Sequence, residues 1–212
     1  ELIQLNQQDP ALLRKLRRAL HSRDGIRSVL ASSSRLWQLA ETDEDTSPFL
    51  DGFTPPLTIG AFDDLTAREL VWQSQLPEPA RPEHNDEEVE RIRRLCGNHP
   101  YQIQLLCRRA LDRGDLDQAV EEVAHDRAVS FFFSVDYELL GERERAILAL
   151  LAEQPGLSSA KLERHLGDGS ESAASSLSAL LELGLLARDD ETRHQVASEF
   201  LRRWLKERQK VS

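Results

Sequence analysis

The sequence predicts a mainly α-helical chain with a small β component, ending in a winged helix-turn-helix. Three observations predict it. Apolar residues recur at three- and four-residue spacing through most of the 212 residues, the signature of helices with one buried face. Glycine or proline punctuates nearly every such run. After Gly141 the order becomes helix, helix, helix, two short apolar runs around an acidic turn, and a final helix.

Asp9-Pro10 opens the first helix, with Asp9 as cap and Pro10 in the first turn. Leu12, Leu13, Leu16 and Leu20 form its apolar stripe, while Arg14, Lys15, Arg17 and Arg18 take the other face, and Gly25 ends it. Ile26 to Ala31 is short and partly β-branched and reads as a buried strand. Residues 41–56, acidic and proline-bearing, read as a surface loop, and Leu57-Thr58-Ile59 as a second short strand. Thr66 and Glu69 have capping-box spacing ahead of Leu70 and Val71. Pro77, Pro79 and Pro82 mark an exposed connection.

Asn85 and Glu88 make another capping box, followed by Val89, Ile92, Leu95 and Cys96, with Gly97 as the stop. Pro100 opens a helix carrying Ile103, Leu106, Cys107, Ala110 and Leu111, which Gly114 closes. Leu116, Ala119, Val120 and Val123 continue the pattern towards Phe131, Phe132 and Phe133, read as core with one ring available to anchor a partner. Beyond Gly141, Ile147, Leu150 and Leu151 define a helix ending at Pro155-Gly156. A short helix runs from Ser158 or Ser159 to Gly167, and a third from Ser172 to Leu183, stopped by Gly184. Leu185 to Arg188 and Gln195-Val196 pair as a hairpin around Asp189, Asp190 and Glu191. Ser198 caps a last helix with Phe200, Leu201, Trp204 and Leu205 inward.

Composition narrows the function classes. No apolar run is long enough to span a bilayer and no signal-peptide pattern opens the chain, and with two cysteines that form no disulfide framework a reducing cytoplasm is the expected compartment. Two cysteines, Cys96 and Cys107, make neither a zinc site nor a disulfide framework. Of the six histidines, His84, His125, His165 and His194 share no metal-ligand spacing, and no metal site is expected. A net charge of −10 favours protein partners or a bound nucleotide over nucleic acid. The chain has no methionine, even at position 1, and is expected to be a piece of a longer protein.

Several segments together resemble the STAND branch of the AAA+-type ATPases. Ala31-Ser32-Ser33-Ser34-Arg35 is similar to the end of that family's sensor-1 strand. Ser47-Pro48-Phe49-Leu50, Leu57 to Phe62 and the following helix resemble the passage from core to lid, and Cys96 to Tyr101 resembles the lid motif that delivers a proline to the nucleotide base. The resemblance implies a remnant of a parallel α/β nucleotide-binding core over 1–62, a helical lid over 63–136 and a winged helix domain over 137–212. It implies ATP or ADP with magnesium as the cofactor of the parent protein, an ATPase. The sequence departs from the family in two ways. It contains neither a G-x-x-x-x-G-K-[ST] loop nor an apolar strand ending in an acidic pair. In the usual glycine-x-proline form of the lid motif, the glycine would fall at Asn98.

The resemblance therefore assigns phosphate sensing to Ser32, Ser33, Ser34 and Arg35, and contact with the nucleotide to Gly97, Asn98, His99 and Pro100. No residue is expected to be catalytic, no nucleotide is expected bound to this chain alone, and no ATP hydrolysis is expected of it. A polar strand end and a helix stop followed by a proline start explain the same residues without any ligand. The expected partners are the nucleotide-binding half and other protein domains of the parent, with a second copy as a further possibility and no membrane. The helix from Ser172 to Leu183 would read the major groove in a DNA-binding winged helix, yet it holds no Lys or Arg. Arg202, Arg203, Lys206, Arg208 and Lys210 on the last helix read as a solvated face. The alternatives are a DNA-binding transcriptional regulator and a protein adaptor without nucleotide control.

Overall fold

The computed structural model describes residues 10–22, 25, 27–29, 31, 57, 59–167, 173–189 and 191–211. The chain divides into two compact units, Glu1–Leu57 and Thr58–Ser212. In the first, α1 spans Pro10–His21, as the apolar spacing predicts. Leu12, Leu16 and Leu20 are half-buried, while Lys15 and Arg18 are exposed.

The strand expected over Ile26–Ala31 is a correction. Arg27, Ser28, Val29 and Ala31 have no regular structure, and Val29 is 92% exposed. The second expected strand is absent too, for Leu57 and Ile59 are irregular and more than nine-tenths exposed. The physical reason is the lack of a ladder. A strand of a parallel sheet is stable only between hydrogen-bonded neighbours with both faces covered, and the sheet among the described residues is a single antiparallel pair.

The second unit is mainly helical. α2 (Asp64–Trp72), α3 (Asp86–Cys96), α4 (Pro100–Arg113), α5 (Leu116–Ala124) and α6 (Arg127–Glu138) come first. α7 (Glu142–Glu153), α8 (Ser159–Leu166) and α9 (Ala173–Glu182) follow, then β1 (Leu186–Arg188), β2 (His194–Val196) and α10 (Glu199–Val211). This is the element order read from the sequence except that the run from Leu116 towards Phe133 is two helices, the second capped by Asp126. Five α-helices and not three or four thus precede Gly141 among the described residues of this unit. One boundary moves: α2 begins at Asp64, and its cap is Asp63 instead of Thr66. Asp63 Oδ1 accepts the Thr66 N–H at 2.8 Å and Oδ2 accepts the Thr66 hydroxyl at 3.1 Å. A carboxylate is the stronger acceptor for an unpaired first-turn donor and also favours the positive end of the helix dipole.

Elsewhere the local chemistry sets the ends as read. Asn85 and Glu88 form a reciprocal capping box, and the left-handed Gly97 closes α3. Ser198 Oγ accepts the Leu201 N–H at 3.1 Å at the start of α10. β1 and β2 pair Leu186 with Val196 and Arg188 with His194. Asp189 Oδ1 accepts the Glu191 and Arg193 N–H groups at 3.1 and 2.8 Å, which closes the turn. Leu157 adds an isolated antiparallel bridge to β2, its carbonyl accepting the His194 N–H at 2.8 Å.

One continuous core fills the unit, from Ala67 and Val71 on α2 to Phe200, Leu201 and Leu205 on α10. α10 joins its two ends, packing on α7 and β2 and also on α3, α5 and α6. Of the three phenylalanines, Phe133 is buried, Phe132 half-buried and Phe131 exposed. The core expectation thus holds for one ring fully and a second in part.

Candidate functional site: the turn between α3 and α4

Ser32, Ser33, Ser34 and Arg35, assigned to phosphate sensing, lie outside the described residues. Gly97, Asn98, His99 and Pro100 form the turn between α3 and α4, and all four are half-buried. Gly97 and Asn98 both take left-handed backbone angles, with φ of 57° and 58°. Glycine does so freely, and asparagine is among the few other residues that do so at low cost. His99 is then the cap position of α4 and Pro100 its first residue, whose missing N–H costs nothing there.

The turn is fixed from two sides. Asn98 Nδ2 donates to Asp64 Oδ1 at 2.8 Å, and Asn98 Oδ1 accepts from Arg93 Nη1 at 2.9 Å. Arg93 also pairs with Asp64 and donates to Glu90 Oε2 at 3.0 Å, and Glu90 in turn pairs with Arg68 at 2.5 Å. The Arg93 hydrogen bond holds the Glu90 carboxyl below its usual range. The Asn98 carbonyl accepts the Phe62 N–H at 3.1 Å, tying the segment before α2 to the turn.

On the other side the turn meets the start of α10. A Cβ built on Gly97 would lie 2.2 Å from the Ala197 carbonyl oxygen and 3.1 Å from Ser198 Cβ. Only a residue without a side chain lets the two backbones approach this closely. His99 stands edge-on to Phe132, with ring centroids 5.3 Å apart, and Phe132 leads through Phe133 to Trp204 on α10. The His99 Nδ1 atom is buried and meets no hydrogen-bond partner beyond its own main chain. Burial pushes this imidazole below its ordinary value of 6.5, so it is neutral at pH 7.

The last helix corrects a second expectation. Its cations are a solvated face only in part, since Arg208 and Lys210 are exposed but Arg202, Arg203 and Lys206 are half-buried. Arg202 pairs with Glu199 at 2.7 Å, Arg203 with Glu121 at 2.8 Å, and Lys206 with Glu153 at 3.3 Å. Arg208 lies 4.9 Å over the Tyr137 ring and 5.3 Å over Trp204. The Arg202 pair lies within α10, while Arg203, Lys206 and Arg208 hold the helix against α5, α7 and α6, which leaves little of these charges for phosphates. α9 exposes Ala174, Ser175, Ser178 and Glu182 among its described side chains, with no cation.

Sequence reading missed Asp64, Arg68, Glu90 and Arg93 as the frame of the turn, and Ala197 and Phe132 as its neighbours. Arg93 and Asn98 lie five residues apart across a helix end and carry a weak local signal; the rest are contacts between distant segments. Cys96 and Cys107 are unpaired, and burial raises both thiols, that of Cys107 to about 11. Neither is a reactive thiolate at neutral pH. Among the described residues no cluster of acidic, histidine or cysteine side chains has the makings of a metal site, and no helix is long and apolar enough to cross a membrane.

No protein-family model matches the chain, and no curated protein matches it. Among solved structures the chain is similar to a Walker-type ATPase of Pyrococcus abyssi, at 16% identity and a TM-score of 0.47. The similarity covers 69% of this chain and 42% of that one, so the chain spans less than half the length of that structure.

Proposed function

We propose that this chain is the lid and winged-helix part of a nucleotide-controlled, signal-transducing switch ATPase, and that it relays ATP or ADP state without itself hydrolysing ATP. The helices α2–α6 serve as the lid, and residues from α7 onward form the winged helix, whose contacts are with protein. The observation that carries the reading is the direct approach of the Gly97 backbone to the Ala197 carbonyl. A base resting on the Gly97–Pro100 turn would bear on the first turn of α10 through the same few atoms. A nucleotide acts as a switch by binding one arrangement of such an element better than another. The paired cations of α10 and the cation-free face of α9 speak against a DNA-binding role.

The test is an amide NMR titration of the whole chain with ADP and ATP, with and without magnesium. Weak binding is expected, at about millimolar concentration, with shifts centred on Gly97, Asn98, His99 and Tyr101 and reaching Ala197 to Leu201. Tight magnesium-dependent binding, or no shift at the turn at any concentration, overturns the proposal.

A further inference from the structure

α6 has two apolar faces. Val129 and Phe133 point into the core, with Tyr137 half-buried beside them. On the opposite side Ala128, Phe131, Val135 and Leu139 stand in a line at helical spacing, all exposed, Phe131 by 70% and Leu139 by 44%. A contiguous apolar stripe on an otherwise polar surface marks a contact site more often than a scattered residue does.

The ends of α6 are served from elsewhere, by the Asp126 carboxylate that accepts the Ala128 N–H at 2.7 Å and pairs with Arg109, and by Arg145 at the last carbonyls, while two charges on the helix itself run against its dipole. Arg127 is the first residue of α6 and Glu138 the last, and the helix has no acidic residue in its first turn and no basic residue in its last. A cation at the positive end and an anion at the negative end are both unfavourable to the helix dipole. α3 shows the usual order, with Asp86, Glu87 and Glu88 first and Arg93 and Arg94 last. Both Arg127 and Glu138 are exposed, and neither makes an ion pair among the described residues. Arg145, which reaches the end of α6, donates to the Tyr137 and Glu138 carbonyls at 3.2 and 2.9 Å and lies over the Tyr137 ring.

Arg127 and Glu138 are eleven residues, or three turns, apart and so stand on the same edge of the stripe, about 16 Å from each other. An antiparallel copy of the same helix places its Glu138 beside this Arg127 and its Arg127 beside this Glu138. Each misplaced charge then gains its opposite, and Phe131 packs near Val135 of the second copy. A parallel two-fold copy would put the two edges on opposite flanks of the contact and leave Arg127 and Glu138 without each other. We infer that the outer face of α6 is a self-complementary surface that binds a second copy of this chain in antiparallel, two-fold fashion. The inference is independent of the nucleotide reading. One helix face is smaller than the roughly 800 Å² per partner of a standard interface, so the association is weak, with a Kd on the order of 100 µM.

Sedimentation equilibrium of the whole chain from about 10 µM to about 1 mM tests this. The weight-average mass is expected to rise towards twice the monomer mass. Phe131→Lys abolishes the rise, whereas Leu65→Lys, at another exposed leucine, leaves it unchanged. Arg127→Glu and Glu138→Arg each weaken the association about fivefold or more, and the double variant restores it to within about twofold. Urea midpoints no lower than that of the parent chain show that folding is intact, the two charge reversals being expected to raise them slightly. A chain monomeric throughout the range, a double variant that stays weak, or equal effects of Phe131→Lys and Leu65→Lys overturns the inference.

Discussion

Gly97→Ala separates a simple helix stop from a joint between distant segments. At φ 57° an alanine carries the left-handed strain of any side chain, about 1 kcal/mol. In addition its Cβ would sit 2.2 Å from the Ala197 oxygen and 2.7 Å from the Ala197 carbonyl carbon. Those are main-chain atoms held by the start of α10, so relief requires moving a backbone. Overpacking of that kind costs about 1–3 kcal/mol, giving about 2–4 kcal/mol in total. Gly114→Ala supplies the control, because Gly114 has φ 68° but no neighbour within 4 Å of the added Cβ. It should cost about 1 kcal/mol from backbone strain alone. The assay is urea unfolding followed by tryptophan fluorescence, with Trp204 reporting on α10. Equal losses in the two variants would refute the idea that Gly97 is reserved for the α10 contact.

Three other outcomes follow from the geometry. Asp63→Ala should lower stability measurably, while Thr66→Ala costs less, because the Asp63 carboxylate still accepts the Thr66 N–H; urea midpoints decide, and the reverse order would return the cap to Thr66. Trp204→Phe keeps the ring stack on Phe133 and Tyr137 but loses the indole hydrogen bond to Ser130 Oγ at 3.0 Å, for about 1 kcal/mol. Calorimetry should show a small fall in Tm without loss of cooperativity. Burial lowers the pKa of both His99 and His194. The unfolded chain thus binds protons below about pH 6.5 that the folded chain does not, so stability is complete above that pH and falls as pH descends through it. The double variant His99→Gln, His194→Gln should flatten the slope of urea midpoint against pH between about pH 7 and pH 5.5.

What the sequence revealed was whatever short-range chemistry decides. Asn85 with Glu88, Gly97, Gly114, Gly184 and Ser198 each act within one turn of a helix, and all sit at the predicted ends. The hairpin around Asp189 was legible for the same reason, since its turn is closed by side chains within it. The strand read from Ile26 to Ala31 failed because six residues of suitable composition say nothing about a neighbouring strand. The α10 cations were misjudged because their partners Glu121 and Glu153 come from other helices. At the candidate site, the backbone of the turn was legible and its neighbours were not. Gly97 explains itself as a helix stop, so nothing local betrays its second use against Ala197.

That second use limits how this unit can move. The helices before α7 and those after it share one core, and α10 is fastened to both by unlike means: aromatic contact through Phe133 and Trp204, ion pairs through Arg203, and backbone approach at Gly97. Ion pairs at half-exposed positions contribute little each and weaken with salt, whereas the aromatic contact and the close approach do not depend on salt. Raising ionic strength should therefore loosen α10 slightly without freeing it. Detachment has to open the close approach of Gly97 to Ala197 and the Ala197 N–H to Leu185 carbonyl hydrogen bond as well as the aromatic contact, none of which salt screens.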